Sequence, residues 1–343
     1  MTLDNRPLIV SAPYPRTLDL IFSPERKAQL FEQYRILEME SEDVNNLNDD
    51  IISEITYIIG QPPLDEQFIQ KASKLRCIFN VESNLIDNMP YPLLFERGIH
   101  VVTTGQVFAL PVAELGVALA LALKRDLINA DLMFREGNEL WGGDGNANAS
   151  LLSGATVGII GFGDLGKALN QLLKGFRAKV QSYDPWLPES LLKEHEVAPA
   201  DLDTLLSTSD VIFVVASVTS ENQHFLNKSA FSKMKAGSAF ILLSRANIVN
   251  FEDLMDAVES KHIVAASDVF PEEPLPLDHP VRKLDGFVRS AHRAGALDVA
   301  FLNMGEMVME DLKLLDQNLP PQRCKRAERE TVSRMRSKPV TTN

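Results

Sequence analysis

Cysteine is nearly missing from this sequence: 343 residues carry two, Cys77 and Cys324. Set far apart, they build no disulfide framework, and free thiols suit a reducing cytoplasm. Long apolar runs are missing too. No uncharged stretch reaches the roughly 18 residues that a membrane-crossing helix needs, so no membrane span is expected. The opening MTLDNRPLIVSAPYP has neither a basic start nor a long apolar stretch, and is not read as a signal peptide. Histidine is sparse: six residues, scattered, none paired with cysteine at metal-ligand spacing, which argues against structural zinc. Positive charge is in deficit, with 34 Lys and Arg against 47 Asp and Glu and a net charge of −13. A nucleic-acid backbone needs a positive surface, so nucleic acid is not an expected partner. The exception is the tail 323–343, where basic residues cluster between Arg323 and Lys338; it reads as a basic, disordered extension.

What is present is a repeating strand-helix rhythm. Short apolar runs at 7–12, 36–39, 57–59, 77–81 and 101–102 predict strands. Helices are expected from Ser23-Pro24-Glu25, an N-cap with proline at the first helical position, and near 64–73. After a break at 105–110, a stretch from Pro111 to Leu127 is apolar almost all round and predicts a helix covered on most sides, as at a domain or subunit boundary. It makes a homodimer the expected assembly. Further strands are expected at 156–160, 178–183, 211–216, 239–243, 263–268 and 286–290. Helices are expected at 201–207, 228–234, 250–260 and 300–314. This order predicts an α/β protein of two doubly wound parallel-sheet domains, Rossmann-like and flavodoxin-like, with a cleft between them. Residues 1–107 with 294–322 would form one domain, and residues 108–293 the other.

The stretch ATVGIIGFGDLGKALNQLLKGFRAKVQSYD carries the densest chemistry. A strand, a glycine turn, a helix and a second strand end on Asp184, an acid about 20 residues past the turn. Gly161 permits the tight turn, Gly163 lets backbone approach a pyrophosphate, and Gly166 lets helix and strand pack closely. Asp164 and Leu165 sit where the helix N-terminus offers unpaired N–H groups to an anion. Asp184 accepts hydrogen bonds from a ribose diol, and its charge repels a 2′-phosphate. NAD is therefore expected over NADP.

Three further residues stand at or just beyond the ends of predicted strands: Arg245 in FILLSRANIVN, Glu273 in SDVFPEEPLP, and His292 in VRSAHRAGA. With GFGDLG…YD these segments occur in an order that resembles the D-isomer-specific 2-hydroxyacid dehydrogenases, from the N-terminal strand to about Pro321. The resemblance implies NAD-dependent interconversion of a D-2-hydroxy acid and its 2-keto acid. It places the family's arginine on Arg245, its glutamate on Glu273 and its acid/base histidine on His292. Those residue types suit the chemistry. Imidazole exchanges a proton near neutral pH, a carboxylate orients the ring, and a guanidinium fork binds a carboxylate. Asp268 would contact the nicotinamide side or support Arg245, and Thr219 and Ser244 would be polar neighbours of the cofactor.

Four departures stand out. The family's Arg-Gly is Arg245-Ala246 here, its aspartate is Asn250, and Arg293 follows the histidine where a small or apolar residue is common. Where the family resemblance predicts a glycine loop of the type V-G-x-D-N-I-D, this chain has Val81-Glu82-Ser83-Asn84. The expectation is that the Glu82 carboxylate points away and that the Glu82 and Ser83 amides bind the substrate carboxylate; otherwise the substrate is not a simple keto acid. The alternative function is a non-catalytic NAD-binding module, similar to the C-terminal-binding-protein corepressors. A formate or phosphite dehydrogenase is disfavoured, because the family's formate enzymes carry glutamine where Glu273 stands.

Overall fold

The computed structural model describes residues 4–82, 85–219 and 221–333. Contacts divide the chain into two compact units, one running to Phe108 and resuming at Ala296, the other spanning Ala109–Gly295. The boundaries expected from sequence were 107/108 and 293/294.

The first unit opens with five parallel strands: β1 (Leu8–Ala12), β2 (Arg35–Glu38), β3 (Ile55–Gly60), β4 (Cys77–Asn80) and β5 (His100–Thr103). Every residue of β1 and β4 is buried, as expected where helices cover both faces of a parallel sheet. The order β2-β1-β3-β4-β5 reverses once, between β1 and β3. This is a flavodoxin-like winding, which places ligands at the carboxyl end of the strands beside that reversal. One intervening helix is capped as the sequence suggests. Pro24 opens the helix Pro24–Gln33, and Ser23 accepts the Arg26 N–H at 3.2 Å. Such a cap contributes about 1 kcal/mol.

The second unit holds seven strands: β6 (Thr156–Ile160), β7 (Lys179–Tyr183), β8 (Ala198–Pro199), β9 (Val211–Val214), β10 (Ala239–Leu242), β11 (Val264–Ser267) and β12 (Phe287–Arg289). All pairings are parallel, in the order β12-β11-β10-β9-β6-β7-β8. That is the winding of a dinucleotide-binding sheet, with its reversal between β6 and β9. One face buries Phe231, Phe240, Leu254 and Phe287 in a continuous core.

The expected break at 105–110 is a 3-10 turn, Gly105–Phe108, that leads directly into the helix Ala109–Lys124. By length and composition Gly105–Lys124 could cross a membrane, and 44% of that apolar window is buried inside the protein. The helix packs against the second unit so tightly that a Cβ on Gly116 would lie 2.6 Å from the Leu243 side chain. Val112, Ala113, Val117, Leu119, Ala120 and Ala122 are buried along it. Apolar surface is exposed at Leu110 on this helix and more extensively in the next stretch, where Leu127, Ile128, Leu132, Phe134, Leu140 and Trp141 are all exposed.

The basic tail needs a correction. Residues 323–333 are not a solvated extension. The chain forms β13 (Lys325–Arg326), antiparallel to β5 at the edge of the first sheet, and buries Cys324 and Ala327. The anchor is Asp311, fully buried on the helix Asp298–Asp316. Its carboxylate accepts the N–H groups of Gln322 (2.7 Å), Arg323 (2.9 Å) and Cys324 (2.8 Å). A buried carboxylate must find donors, and three successive amides supply them. The remaining tail residues, 334–343, lie outside the described residues.

Candidate active site

In the second unit, β6 ends at the glycine turn. Gly161 has φ +91°, and a Cβ there would lie 2.5 Å from the Ala216 Cα beyond β9, so side chains are excluded by both backbone and space. A Cβ on Gly166 would meet the Gly161 carbonyl oxygen at 2.6 Å, which is the close packing that position requires. Gly163 differs: a Cβ would touch nothing within 4 Å. Gly163 is also the N-cap of the helix Asp164–Leu173, with no side chain to cap the first turn. Open space thus meets the positive end of a helix dipole, an arrangement that fits a pyrophosphate. Leu165 is half-buried in that first turn, and Asp164 begins it.

Asp184, just past β7, is tied to the same turn. One carboxylate oxygen accepts the Phe162 N–H at 2.8 Å and the other accepts the Trp186 N–H at 3.1 Å. Each oxygen keeps a lone pair for a hydroxyl donor. Thr219, buried in the loop after β9, donates its N–H to Asn222 at 2.8 Å, and its hydroxyl accepts the Glu221 N–H at 3.3 Å. Ser244, past β10, is buried, and its hydroxyl has no hydrogen-bond partner among the described residues.

The three expected chemical groups gather at the carboxyl edge of this same sheet. Arg245 donates from Nη1 to the Ser244 carbonyl at 2.7 Å. Ala246 starts a 3-10 turn, a backbone that alanine adopts without strain. Asn250 caps the helix Phe251–Glu259 by accepting the Asp253 N–H at 3.3 Å, a task either asparagine or aspartate performs. Glu273 Oε2 lies 2.5 Å from His292 Nδ1, and Oε1 accepts the Phe270 N–H at 2.8 Å. Burial pushes the Glu273 carboxyl up. The His292 hydrogen bond, the Phe270 amide and the nearby charges of His292 and Arg245 outweigh burial and hold it below the usual glutamate range. With Nδ1 committed to the carboxylate, Nε2 is the ring nitrogen left for proton exchange.

Asp268 does something the sequence did not reveal. It is almost fully buried after β11, and its two oxygens accept the N–H groups of Arg293 (3.1 Å) and Ala294 (3.0 Å). Its carbonyl accepts the His292 N–H at 2.7 Å. His292 itself sits at φ +48°, a left-handed conformation uncommon outside glycine and asparagine. Asp268 therefore clamps this turn. The only sequence signal was an acid at a strand end. Arg293 is exposed.

In the first unit, the loop after β4 carries the sharpest departure. The Glu82 N–H, expected to hold an anion, donates to Asn80 Oδ1 at 2.7 Å. The Glu82 carbonyl accepts the Thr103 hydroxyl at 2.9 Å. The Glu82 carboxylate is turned to Arg16, with Oε1 3.0 Å from Nε. Ser83 lies outside the described residues.

A parallel sheet of order 3-2-1-4-5-6-7 with a glycine turn, a pinned acid after the second strand, and a Glu-His pair at its carboxyl edge defines the class: an NAD-dependent oxidoreductase. Residues 117–294 match the family model described as D-isomer specific 2-hydroxyacid dehydrogenase, NAD binding domain. The chain is similar to a glyoxylate reductase of Thermofilum pendens, 34% identical over 75% of this chain and 77% of that protein. It is 32% identical to a hydroxypyruvate reductase of Thermotoga maritima, over 73% of this chain and 84% of that protein. Among solved structures, a phosphoglycerate oxidoreductase from Rhizobium etli is 62% identical with a TM-score of 0.88, over 94% of this chain and 99% of that one. The chain belongs to the D-isomer-specific 2-hydroxyacid dehydrogenase family, and its cofactor is NAD.

Proposed function

We propose that the protein interconverts a D-2-hydroxy acid and its 2-keto acid, with His292 as acid/base, Glu273 as its orienting carboxylate and Arg245 as the substrate-carboxylate cation. The observation that carries this reading is the Glu273–His292 pair at 2.5 Å, on a left-handed turn fixed by Asp268. Such a turn is strained backbone, and strain of this kind persists where the surroundings enforce it. NADH, when bound, supplies the hydride. Gly161, Gly163, Asp164, Leu165, Gly166, Asp184, Thr219 and Ser244 would hold it. The chain's own part in reduction is electrostatic and protonic. Arg245 offers a fork of donors to the substrate carboxylate and draws negative charge toward the keto oxygen. His292 Nε2 donates the proton that oxygen needs, and the fixed Glu273 carboxylate stabilises the ring while it is protonated. In the oxidative direction the same nitrogen accepts the proton.

A steady-state assay with NADH and a panel of keto acids tests this. His292→Ala should lower kcat by about 10²- to 10⁴-fold while leaving NADH affinity intact. Unchanged turnover defeats the assignment. The interaction-module alternative needs no such dyad, and it would be supported only by tight NADH binding without turnover on any hydroxy acid.

A homodimer in a reducing, cytoplasmic setting completes the reading. The exposed apolar stretch from Leu127 to Trp141 supports it, since Phe134 and Trp141 already stack edge to face with centroids 6.3 Å apart. Light scattering on the wild type and on Trp141→Glu, which should dissociate, measures the assembly.

A further inference from the structure

Arg16 and Glu82 have no counterpart in the chemistry above, yet both stand at the carboxyl edge of the first sheet, beside its strand reversal. Arg16 follows β1 and Glu82 follows β4. Between those strands β3 ends at Gly60, which comes so close to Ala12 that a Cβ would lie 2.0 Å from its carbonyl oxygen. Open α/β sheets take their ligands at this edge. The two side chains are built into place. The Glu82 backbone is stitched at both ends, by Asn80 and Thr103. The Arg16 guanidinium lies over the Phe301 ring, 4.9 Å from its centroid, and Phe301 is itself braced edge-on by Phe108. The ion pair closes at 3.0 Å, with Arg16 and Glu82 side chains only 24% and 35% exposed. Among the described residues, Arg16 donates no side-chain hydrogen bond, and its buried Nε is not aligned on an acceptor. The guanidinium is thus charge-paired but keeps its directional donors.

We propose that this pair sets substrate charge: Glu82 is a fixed counter-anion on Arg16, and together they select 2-keto acids with one carboxylate and an uncharged remainder. The inference rests on the 2-keto acid reading above. Arg16 does two things at once. It cancels a glutamate charge that would otherwise repel the substrate carboxylate. Being already paired, it also gives little attraction to a second anionic group, whether carboxylate or phosphate, because the group must displace or share Glu82. At a half-buried site a charge a few ångströms away acts through an effective dielectric well below that of water, so losing either partner is felt strongly.

The two residues therefore have opposite signatures, which a double-mutant cycle separates. The substrates are glyoxylate and hydroxypyruvate as monoanions, oxaloacetate carrying a second carboxylate, and 3-phosphohydroxypyruvate carrying a phosphate. Wild type should prefer the monoanions in kcat/KM. Glu82→Gln, nearly isosteric, should raise the ratio of doubly anionic to monoanionic kcat/KM by roughly tenfold, and comparing oxaloacetate with the phosphate ester shows which second group Arg16 takes. Arg16→Gln should raise KM for hydroxypyruvate by roughly tenfold with kcat little changed, and the double variant Arg16→Gln/Glu82→Gln should recover most of that loss. NADH affinity should stay constant throughout, which separates a charge effect from misfolding. A wild type that prefers the doubly anionic acids, an unchanged ratio in Glu82→Gln, or simple additivity overturns the proposal while leaving the dehydrogenase reading intact. No turnover on any keto acid defeats both.

Discussion

Both sheets reverse their winding once, and the two reversals are built alike up to a point. In the second unit Gly161, at φ +91°, brings the end of β6 against Ala216. In the first, Gly60, at φ +122°, brings the end of β3 against Ala12. Beyond those glycines the two edges part company. The second unit presents backbone: open space at Gly163 and a helix start with no side-chain cap. The first presents side chains: Arg16 clamped to Glu82 over an aromatic ring. Recognition by backbone demands glycine at fixed spacing and so writes a motif. Recognition by side-chain charge demands only that two residues remote in sequence meet, and writes nothing local.

The most damaging way to probe that contrast is to add one methyl group to each glycine. Gly161→Ala and Gly60→Ala both force a Cβ into occupied space at a positive φ, each at a cost of about 3 kcal/mol or more. Yet they should fail differently. Gly161→Ala should abolish NADH binding in a fluorescence titration. Gly60→Ala should lower the melting temperature while the folded fraction binds NADH as wild type does. Equal loss of NADH affinity in both would erase the distinction between the two edges.

Next in size is Asp311→Ala, confined to the first unit. Removing a buried carboxylate that holds three N–H groups should cost about 3 kcal/mol and free the strand at Lys325–Arg326. Limited proteolysis should then cut near residue 322 in the variant and spare the wild type. If NADH affinity falls as much as stability, the first unit's anchor matters to the cofactor in a way its position does not account for.

These anchors also mark where sequence reading stopped. The strands were legible because a parallel sheet covered on both faces writes continuous apolar runs such as VIFV and AFIL. Gly161, Gly163, Gly166 and Asp184 were legible because spacing alone specifies them. Arg245, Glu273 and His292 were singled out through the resemblance, and all three lie in the loops beyond β10, β11 and β12. Three features were hidden. Asp311 reads as one more acid on a helix face, though it pins a chain more than ten residues away. Asp268 reads as a ligand contact, because nothing in the sequence says that His292 needs φ +48° and a clamp. The tail reads as solvated because its basic residues dominate the composition, while its two small buried residues, Cys324 and Ala327, decide the packing.

A gentler effect follows from Glu273. Its carboxyl lies below the ordinary glutamate range in the folded protein, where the opposing pull of burial is outweighed by His292, the Phe270 amide and Arg245. The sign is then fixed. The stabilising contribution is complete above the ordinary value and drains away as pH falls from that value through the lower folded one. Melting temperatures between about pH 5 and pH 3 should fall more steeply for wild type than for Glu273→Gln, and the two curves should run parallel from about pH 6 to pH 8. Parallel curves at low pH would mean the carboxylate is no better served in the folded chain than in water. No change is expected from Glu82→Gln in NADH titrations over the same range, which keeps the two units' carboxylates distinct.

The smallest expected effect is at Ser244. Its hydroxyl is buried with no hydrogen-bond partner among the described residues, so it is a desolvated polar group with nothing in return from the protein. Removing it should cost no stability. Ser244→Ala is therefore expected to melt at or slightly above the wild-type temperature. If the hydroxyl finds its partner only when the dinucleotide binds, the same variant should bind NADH more weakly by roughly fivefold, the worth of about one neutral hydrogen bond. The two readouts move in opposite directions, a pattern that a residue serving the fold alone cannot produce. Weaker NADH binding together with a lower melting temperature would instead make Ser244 a packing residue, and would leave the helix start at Gly163 to carry the backbone-led recognition of the second unit by itself.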